Sequence, residues 1–433
     1  MVLYALCVKS YQCLRGWRGK TIYSLFREKI FYGWWVAIAG LIISVIALGI
    51  RYSFGVFVTS IENEFSLTRG ATSGIFSVSM LVCCVFAILG GWVLDRYGPR
   101  LIVFLMALFT GVSLILVSQT TAAWQLFISY GLILPLGTGP TFTVVNSTTS
   151  RWFEQKRGFI LGLTTSGGGL GAIVMAPLST YLIVQFEWRT AFIIIGLIAC
   201  FIMASLALLL RKDPRDMGLL PDGIQSEAAY KSLHQRKDRT EPTGLSLSRA
   251  LRTSNFWFLC LVWLLLSLNV HLIMVHLVPY AVDTGISAMD AAIIVSLIGG
   301  ATIVGRIGIG KISDATGRKV PAVVCALLQV GMLLWLIWSR ELWMLYIFAI
   351  VFGSSWGGLS TMVTVLIGDV FGMRSIGAIM GVMSAGWSLG AASGPAIGGF
   401  TFDVIGNYFT AFSLGAGAML IATLLVVLIR GYK

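Results

Sequence analysis

Long apolar runs, separated by short polar or glycine-containing breaks, fill this chain from residue 34 almost to its end. They lie near 34–58, 71–93, 100–118, 123–148, 159–184, 189–210, 255–279, 289–312, 320–339, 342–368, 376–400 and 408–429. Each is close to the roughly 20 residues that a helix needs to cross a bilayer. None shows the period-two alternation of a membrane barrel strand, so the pattern predicts helices. The fold class expected is an all-α membrane protein with twelve spanning helices.

Composition agrees with this pattern. The 433 residues are 57% hydrophobic and only 11% charged, against about 25% charged in a typical soluble domain. The net charge of +13 would suit a nucleic-acid partner, but its distribution excludes one. With the N-terminus taken as cytoplasmic, 26 of the 31 Lys and Arg fall on the cytoplasmic segments and 3 on the outer loops. This asymmetry is the positive-inside rule, and it predicts a multi-pass cell-membrane protein with both termini cytoplasmic. The remaining 2, Arg51 and Arg306, lie inside apolar runs.

Seven cysteines are spread over apolar runs and the N-terminal segment, and none falls in an outer loop. Disulfides are therefore not expected. The start "MVLYALCV" has no preceding basic region, which makes it a poor signal peptide. Residues 1–30 read as a cytoplasmic extension, either an amphipathic surface segment or the product of an upstream start codon. The long polar segment 211–253 reads as a linker loop between a bundle at 31–210 and a second at 254–433.

The two halves repeat. "GGWVLDRYGPR" follows the second run and "IGKISDATGRK" the eighth, so that Gly91, Asp95 and Gly98 match Gly310, Asp314 and Gly317. "RGFILGLTTSGGGLG" and "IGAIMGVMSAGWSLG" align Gly158, Gly162, Gly167 and Gly171 with Gly377, Gly381, Gly386 and Gly390. Every offset is 219. Parallel six-helix repeats with a site at their interface are a transporter architecture. The glycines suit close packing and sliding of helices alike.

These motifs resemble the major facilitator superfamily, from about residue 31 onward. "GGWVLDRYGPR" looks like its loop 2–3 signature, and loop 8–9 carries a weaker copy. Within the superfamily, "FYGWWV" and "RWFEQKRGFILGL" resemble the monocarboxylate transporters and the related oxalate/formate antiporters. The resemblance implies that Arg306 holds a substrate carboxylate. It also implies that Asp95, with Arg96 and Arg100 and its counterpart Asp314, holds the two halves together in one state of the cycle. Two departures stand out. Thr302 occupies the place of an aspartate implicated in proton coupling, and "GAIMGVMSAGWSLGAASG" lacks the lysine of oxalate carriers.

The polar residues inside the runs bear on the site directly. A mid-membrane charge costs from about 2.5 kcal/mol upward. Arg306 either snorkels to the inner headgroups or binds an anion with its planar fork of donors. Arg51, with Tyr52 beside it, either bonds backbone carbonyls or shares that role. In "SLNVHLIMVHLVPYA", His271 and His276 are five apart, about 140° around a helix, which argues against a metal pair. Asn269, His276 and Tyr280 share one face, expected to line a cavity. His276 is then the proton-coupling candidate, the other reading being a satisfied structural histidine. Asn146 either lines the same cavity or makes an interhelical hydrogen bond.

No nucleotide-binding loop, metal cluster or nucleophile–base constellation appears in the sequence, so no cofactor, no metal and no enzyme activity are expected. The function expected is secondary active transport of small organic anions, of the lactate, pyruvate or formate type. Proton symport and anion exchange both remain open. The alternatives are a carrier of neutral or amphipathic solutes and a non-transporting membrane sensor.

Overall fold

The computed structural model describes residues 31–153, 156–223, 245–372 and 376–429. The expected extension 1–30 and the middle of the linker, 224–244, lie outside the described residues. Ten helical runs are long and apolar enough to cross a membrane. The longest of these, Gly158–Leu209, turns sharply at Glu187 (φ 67°, ψ 160°) and so makes two crossings. The helix Ile376–Ile405 adds a further one. The result is twelve spans in two six-helix repeats, with no β-strand among the described residues.

The spans are α1 (Tyr32–Phe65), α2 (Arg69–Tyr97), α3 (Pro99–Ser118), α4 (Ala123–Trp152), α5 (158–186), α6 (188–209), α7 (Ser254–Asp283), α8 (Ala288–Thr316), α9 (Lys319–Trp338), α10 (Leu342–Phe371), α11 (Ile376–Ile405) and α12 (Phe409–Leu428). Both ends of the described chain lie on one face of the bundle, here the terminal face. The opposite, far face carries the turns after α1, α7 and α11.

The repeat seen in the sequence recurs in the packing. A Cβ added to Gly167 or Gly171 of α5 would run into α1 at Leu41 and Val45, and one added to Gly386 or Gly390 of α11 would run into α7 at Cys260 and Leu264. The contact partners are displaced by the same 219 positions as the glycines. In lipid, helices gain little from hydrophobic burial against each other, so this close backbone approach is what holds α1 on α5 and α7 on α11. Gly98 and Gly317 take the same left-handed conformation, φ 84° and 81°, at matching turns. Only glycine adopts it without steric cost.

Three helices are interrupted near the middle of the bundle. α1 breaks at Ser53, whose hydroxyl donates back to the Gly49 carbonyl at 2.8 Å. α4 opens into a wider π-helical turn over Phe127–Ile133 and breaks again at Gly139–Pro140. α5 breaks at Ser166. Proline without an N–H, and hydroxyls that bond back to the preceding turn, are ordinary causes of such breaks. They leave backbone carbonyls free for other donors.

The two halves meet along α2–α11, α5–α8 and the far segment of α1 against α7. These contacts gather toward the far face. Gly169 meets Gly299 across the α5–α8 seam, Gly55 meets the Met274 carbonyl, and Gly399 meets the Arg69 carbonyl. On the terminal side the picture reverses. A Cβ added to Gly158 or Gly162 of α5, Gly308 or Gly310 of α8, or Gly381 of α11 would find nothing within 4 Å. The terminal half of α2 likewise exposes Leu81, Val85, Ile88, Leu89 and Trp92, whereas its far half buries Thr72 to Met80 almost continuously. The far face is closed and the terminal face is open.

Candidate functional site

The helix breaks position the two arginines. Arg51 sits just before the break in α1 and donates through Nη2 to the Thr138 carbonyl at 3.4 Å, beside the break in α4, and to Cys83 Sγ at 3.3 Å. Arg306 donates through Nη1 to the Thr165 carbonyl at 3.1 Å, beside the break in α5. That bond crosses from the second half to the first. The guanidinium is therefore turned into the seam, and the snorkelling reading does not describe it.

Tyr52 links the pair. It lies within electrostatic reach of both guanidinium groups, and its ring is edge-on to Trp356 of α10 at 5.9 Å. Neither arginine meets a carboxylate among the described residues, and the Nε of each is buried without a partner. Two further buried donors nearby lack partners, Trp356 Nε1 and the Tyr130 hydroxyl, the latter within electrostatic reach of Arg51. A buried donor left unpaired costs about 1–3 kcal/mol. The middle of the seam thus gathers cations and donors, a chemistry that fits a carboxylate.

The stripe on α7 needs correction. Asn269, His276 and Tyr280 do share a face, but it packs against α9, α11 and α12 instead of lining a cavity. Asn269 donates to the Leu265 carbonyl at 3.0 Å and faces Gly415 of α12. The Tyr280 hydroxyl lies 2.8 Å from the Leu336 carbonyl and 2.6 Å from that of Ser339. His276 is held between the Pro395 carbonyl, 2.9 Å from Nε2, and the Tyr408 hydroxyl, 3.1 Å from Nδ1. Both ring nitrogens are engaged and the side chain is fully buried, which is the satisfied structural histidine. The physical reason is that α7 is buried all round from Asn269 to Ala281. Asn146 accepts from Thr164 Oγ1 at 3.3 Å, an interhelical bond between α4 and α5.

The face of α7 turned toward α1 carries His271 instead. Its ring lies 6.2 Å from Tyr52, 6.0 Å from Phe76 and 5.8 Å from Trp387. Sequence reasoning weighed His271 only as a metal partner of His276 and passed over Trp356 and Tyr130. Their apolar surroundings gave no signal, beyond the position of His271 opposite the polar stripe of α7.

The rims differ in kind. On the far face Arg69, at the start of α2, grips Asp283 at the end of α7 with two nitrogens, at 2.8 and 2.7 Å. It also donates to the Tyr408 hydroxyl at 2.7 Å and lies 4.0 Å over the Phe402 ring. Asp403 accepts from the backbone N–H groups of Arg69 and Gly70 at 3.0 and 2.8 Å, an anion at a helix N-terminus. All of these join one half to the other.

On the terminal face the bonds of the described residues stay within one half or the other, as between Lys319 and the Ile429 carbonyl at 3.1 Å in the second. Asp95 pairs with Arg151 at 2.8 Å, and Lys212 donates to the Asp95 carbonyl at 2.6 Å. Arg100 donates to the Leu210 and Leu208 carbonyls at 2.9 and 2.8 Å. Arg96 stacks near Trp92 and Tyr97. The side chain of Asp314 lies outside the described residues.

Comparison with known proteins places this geometry. Residues 40–377 match the Major Facilitator Superfamily. Monocarboxylate transporter 12 of Rattus norvegicus is 26% identical over 413 residues, covering 91% of this chain and 85% of its own length. Monocarboxylate transporter 13 of Bos taurus is 26% identical over 401 residues, covering 90% and 87%. Among solved structures, a bacterial homolog to the human lysosomal transporter Spinster, in an inward-facing and unoccupied conformation, superimposes with a TM-score of 0.70. That match covers 92% of this chain and 95% of the other at 15% identity, and so speaks to the fold. The chain belongs to the Major Facilitator Superfamily, and the relatives it resembles along nearly its whole length are monocarboxylate transporters.

Proposed function

We propose that this protein is a secondary active transporter of small organic anions, with monocarboxylates of the lactate, pyruvate or formate type as its substrates. The observation that carries the reading is the unmatched pair Arg51 and Arg306. Both are sunk in the bundle, neither meets a carboxylate among the described residues, and each has a buried Nε without a partner. A substrate carboxylate supplies the missing charge and acceptors, and planar guanidinium donors can hold both of its oxygens. The names of the relatives point the same way.

Transport is by alternating access, with the halves rocking about the seam between α5 and α8 and between α2 and α11. The lysine and arginine bias sets the terminal face toward the cytoplasm of a cell-membrane protein, so the closed far rim is the outer gate. The bundles at 31–210 and 254–433 move as the two bodies, joined by the linker 211–253. When the terminal face closes, Asp95 and Asp314 with their basic neighbours take over the bridging that Arg69 performs here.

Uptake of labelled pyruvate, lactate, formate and a neutral control into proteoliposomes tests the reading. Saturable flux of the carboxylates and none of the neutral solute is expected. Binding without flux would indicate a sensor, and preference for the neutral solute would remove the anion reading.

A further inference from the structure

His271 occupies a place that the anion reading leaves unused. Its Nδ1 lies 2.9 Å from the Ser267 carbonyl oxygen. A carbonyl only accepts, so Nδ1 carries the ring hydrogen and the lone pair of the neutral imidazole stays on Nε2. The Ser267 hydroxyl donates to the Trp387 carbonyl at 2.6 Å and so does not compete for that role. The tautomer is set by the backbone of α7 itself.

The charged and titratable groups around this ring are few. From α1 come Arg51, within electrostatic reach, and Tyr52. Arg306 of α8 joins through Tyr52. The faces of α2 and α11 packed on the ring present Phe76 and Trp387, which carry no charge. His271 is thus a proton acceptor within reach of one cation, Arg51, with Arg306 beyond Tyr52, in a site otherwise furnished with donors.

We propose that His271 is the proton-binding residue that couples proton movement to anion movement, on the basis of the anion reading above. While the site is empty, burial of the ring and the charge of Arg51, the nearer of the two guanidinium groups, oppose a positive charge on it. A carboxylate bound between them offsets that repulsion, and a proton from water at the open face adds to the Nε2 lone pair. Proton and anion load together, cross together, and the proton returns to water on the other side when the anion leaves. Conditional loading of this kind gives coupling without a proton leak. It needs no carboxylate where Thr302 stands.

The test uses the full chain in proteoliposomes with labelled pyruvate. Two fluxes are measured: accumulation driven by an inward proton gradient, and exchange at equal pH with pyruvate on both sides. In His271→Gln the ratio of gradient-driven to exchange flux is expected to fall at least about tenfold. In His276→Gln the ratio should stay at the wild-type value, because that ring is held in the far-rim network. A wild-type ratio in His271→Gln overturns the proposal. Wild-type flux that ignores the gradient while exchange is brisk also overturns it and leaves the anion reading standing, whereas no pyruvate flux in either assay removes both.

Should His271→Gln prove unstable, the wild-type protein still decides. Calorimetry of pyruvate binding in two buffers of different ionisation heat is expected to show about one proton taken up per anion bound. Uptake of none overturns the proposal.

Discussion

The far rim carries many fewer charged residues than the terminal rim, yet it is the far rim that ties the two halves together. Around Arg69 the partners Asp283, Asp403, Tyr408 and Phe402 come from the other half, and Glu62, 3.6 Å away, from its own. Around Asp95 the partners Arg151 and Lys212 come from the same half, or from the segment that leaves it. The glycines show the same contrast, crowded across the seam on the far side and facing open space on the terminal side. Charge alone therefore does not make a gate. What makes one is whether a charge finds its partner across the seam or within its own bundle, and in the proposed cycle that changes with the state.

Breaking the far rim should have the largest effect. The Arg69 side chain is only 12% exposed but Asp283 is 42% exposed, so the loss lies between the about 0–1 kcal/mol of an exposed pair and the about 3–5 kcal/mol of a buried one. Arg69→Gln should shift the balance away from the far-closed state by about one to two orders of magnitude, since about 1.4 kcal/mol is tenfold. Spin labels at Thr121 and Glu341, exposed on the far loops of opposite halves, would report the separation by pulsed electron resonance. An unchanged distance distribution would mean that packing along α2–α11 closes this face without Arg69.

A smaller but sharper contrast comes from the glycines. Gly169→Val should wedge the α5–α8 seam, because even a Cβ there meets the Gly299 carbonyl at 2.6 Å. Overpacking of this kind costs about 1–3 kcal/mol. Gly162→Ala, on the same helix, meets nothing within 4 Å and should gain up to about 1 kcal/mol of helix propensity. Thermal unfolding of the two variants in detergent checks the opposite signs. Equal destabilisation would show that the terminal half of α5 is packed after all.

Asp95→Asn should have the least effect on this state. Its carboxylate is 70% exposed, and exposed pairs contribute about 0–1 kcal/mol. Substrate binding should persist while the transport rate falls, because the residue lies at the rim and, in the proposed cycle, acts when the terminal face closes. Parallel binding and flux assays separate this outcome from misfolding, in which both would fall together.

The sequence revealed what local pattern can carry. Twelve spans follow from apolar length, and the repeat follows from one offset that recurs in the contacts of Gly167 with Leu41 and of Gly386 with Cys260. Arg51 and Arg306 stand out because a charge in an apolar run is costly wherever it lies. The direction of a polar stripe on α7 was not legible. A helix buried all round from Asn269 to Ala281 offers no lipid-facing stripe there from which to orient the rest, so nothing in the pattern showed that the face of His276 turns away from the seam and that of His271 toward it. The far rim was hidden for a different reason. Arg69 and its partners are 214 to 339 positions apart, and nothing local marks them as a group.

The central claim is that Arg306 holds the substrate carboxylate from inside the seam. Labelled pyruvate uptake by Arg306→Lys, beside wild type and with equal amounts of folded protein in the membrane, tests it most directly. Lysine keeps the charge and loses the planar two-nitrogen grip. The account predicts uptake reduced at least about tenfold, which corresponds to about 1.4 kcal/mol of lost interaction. Wild-type uptake by Arg306→Lys would contradict it and would leave the guanidinium as a bond to the Thr165 carbonyl and nothing more.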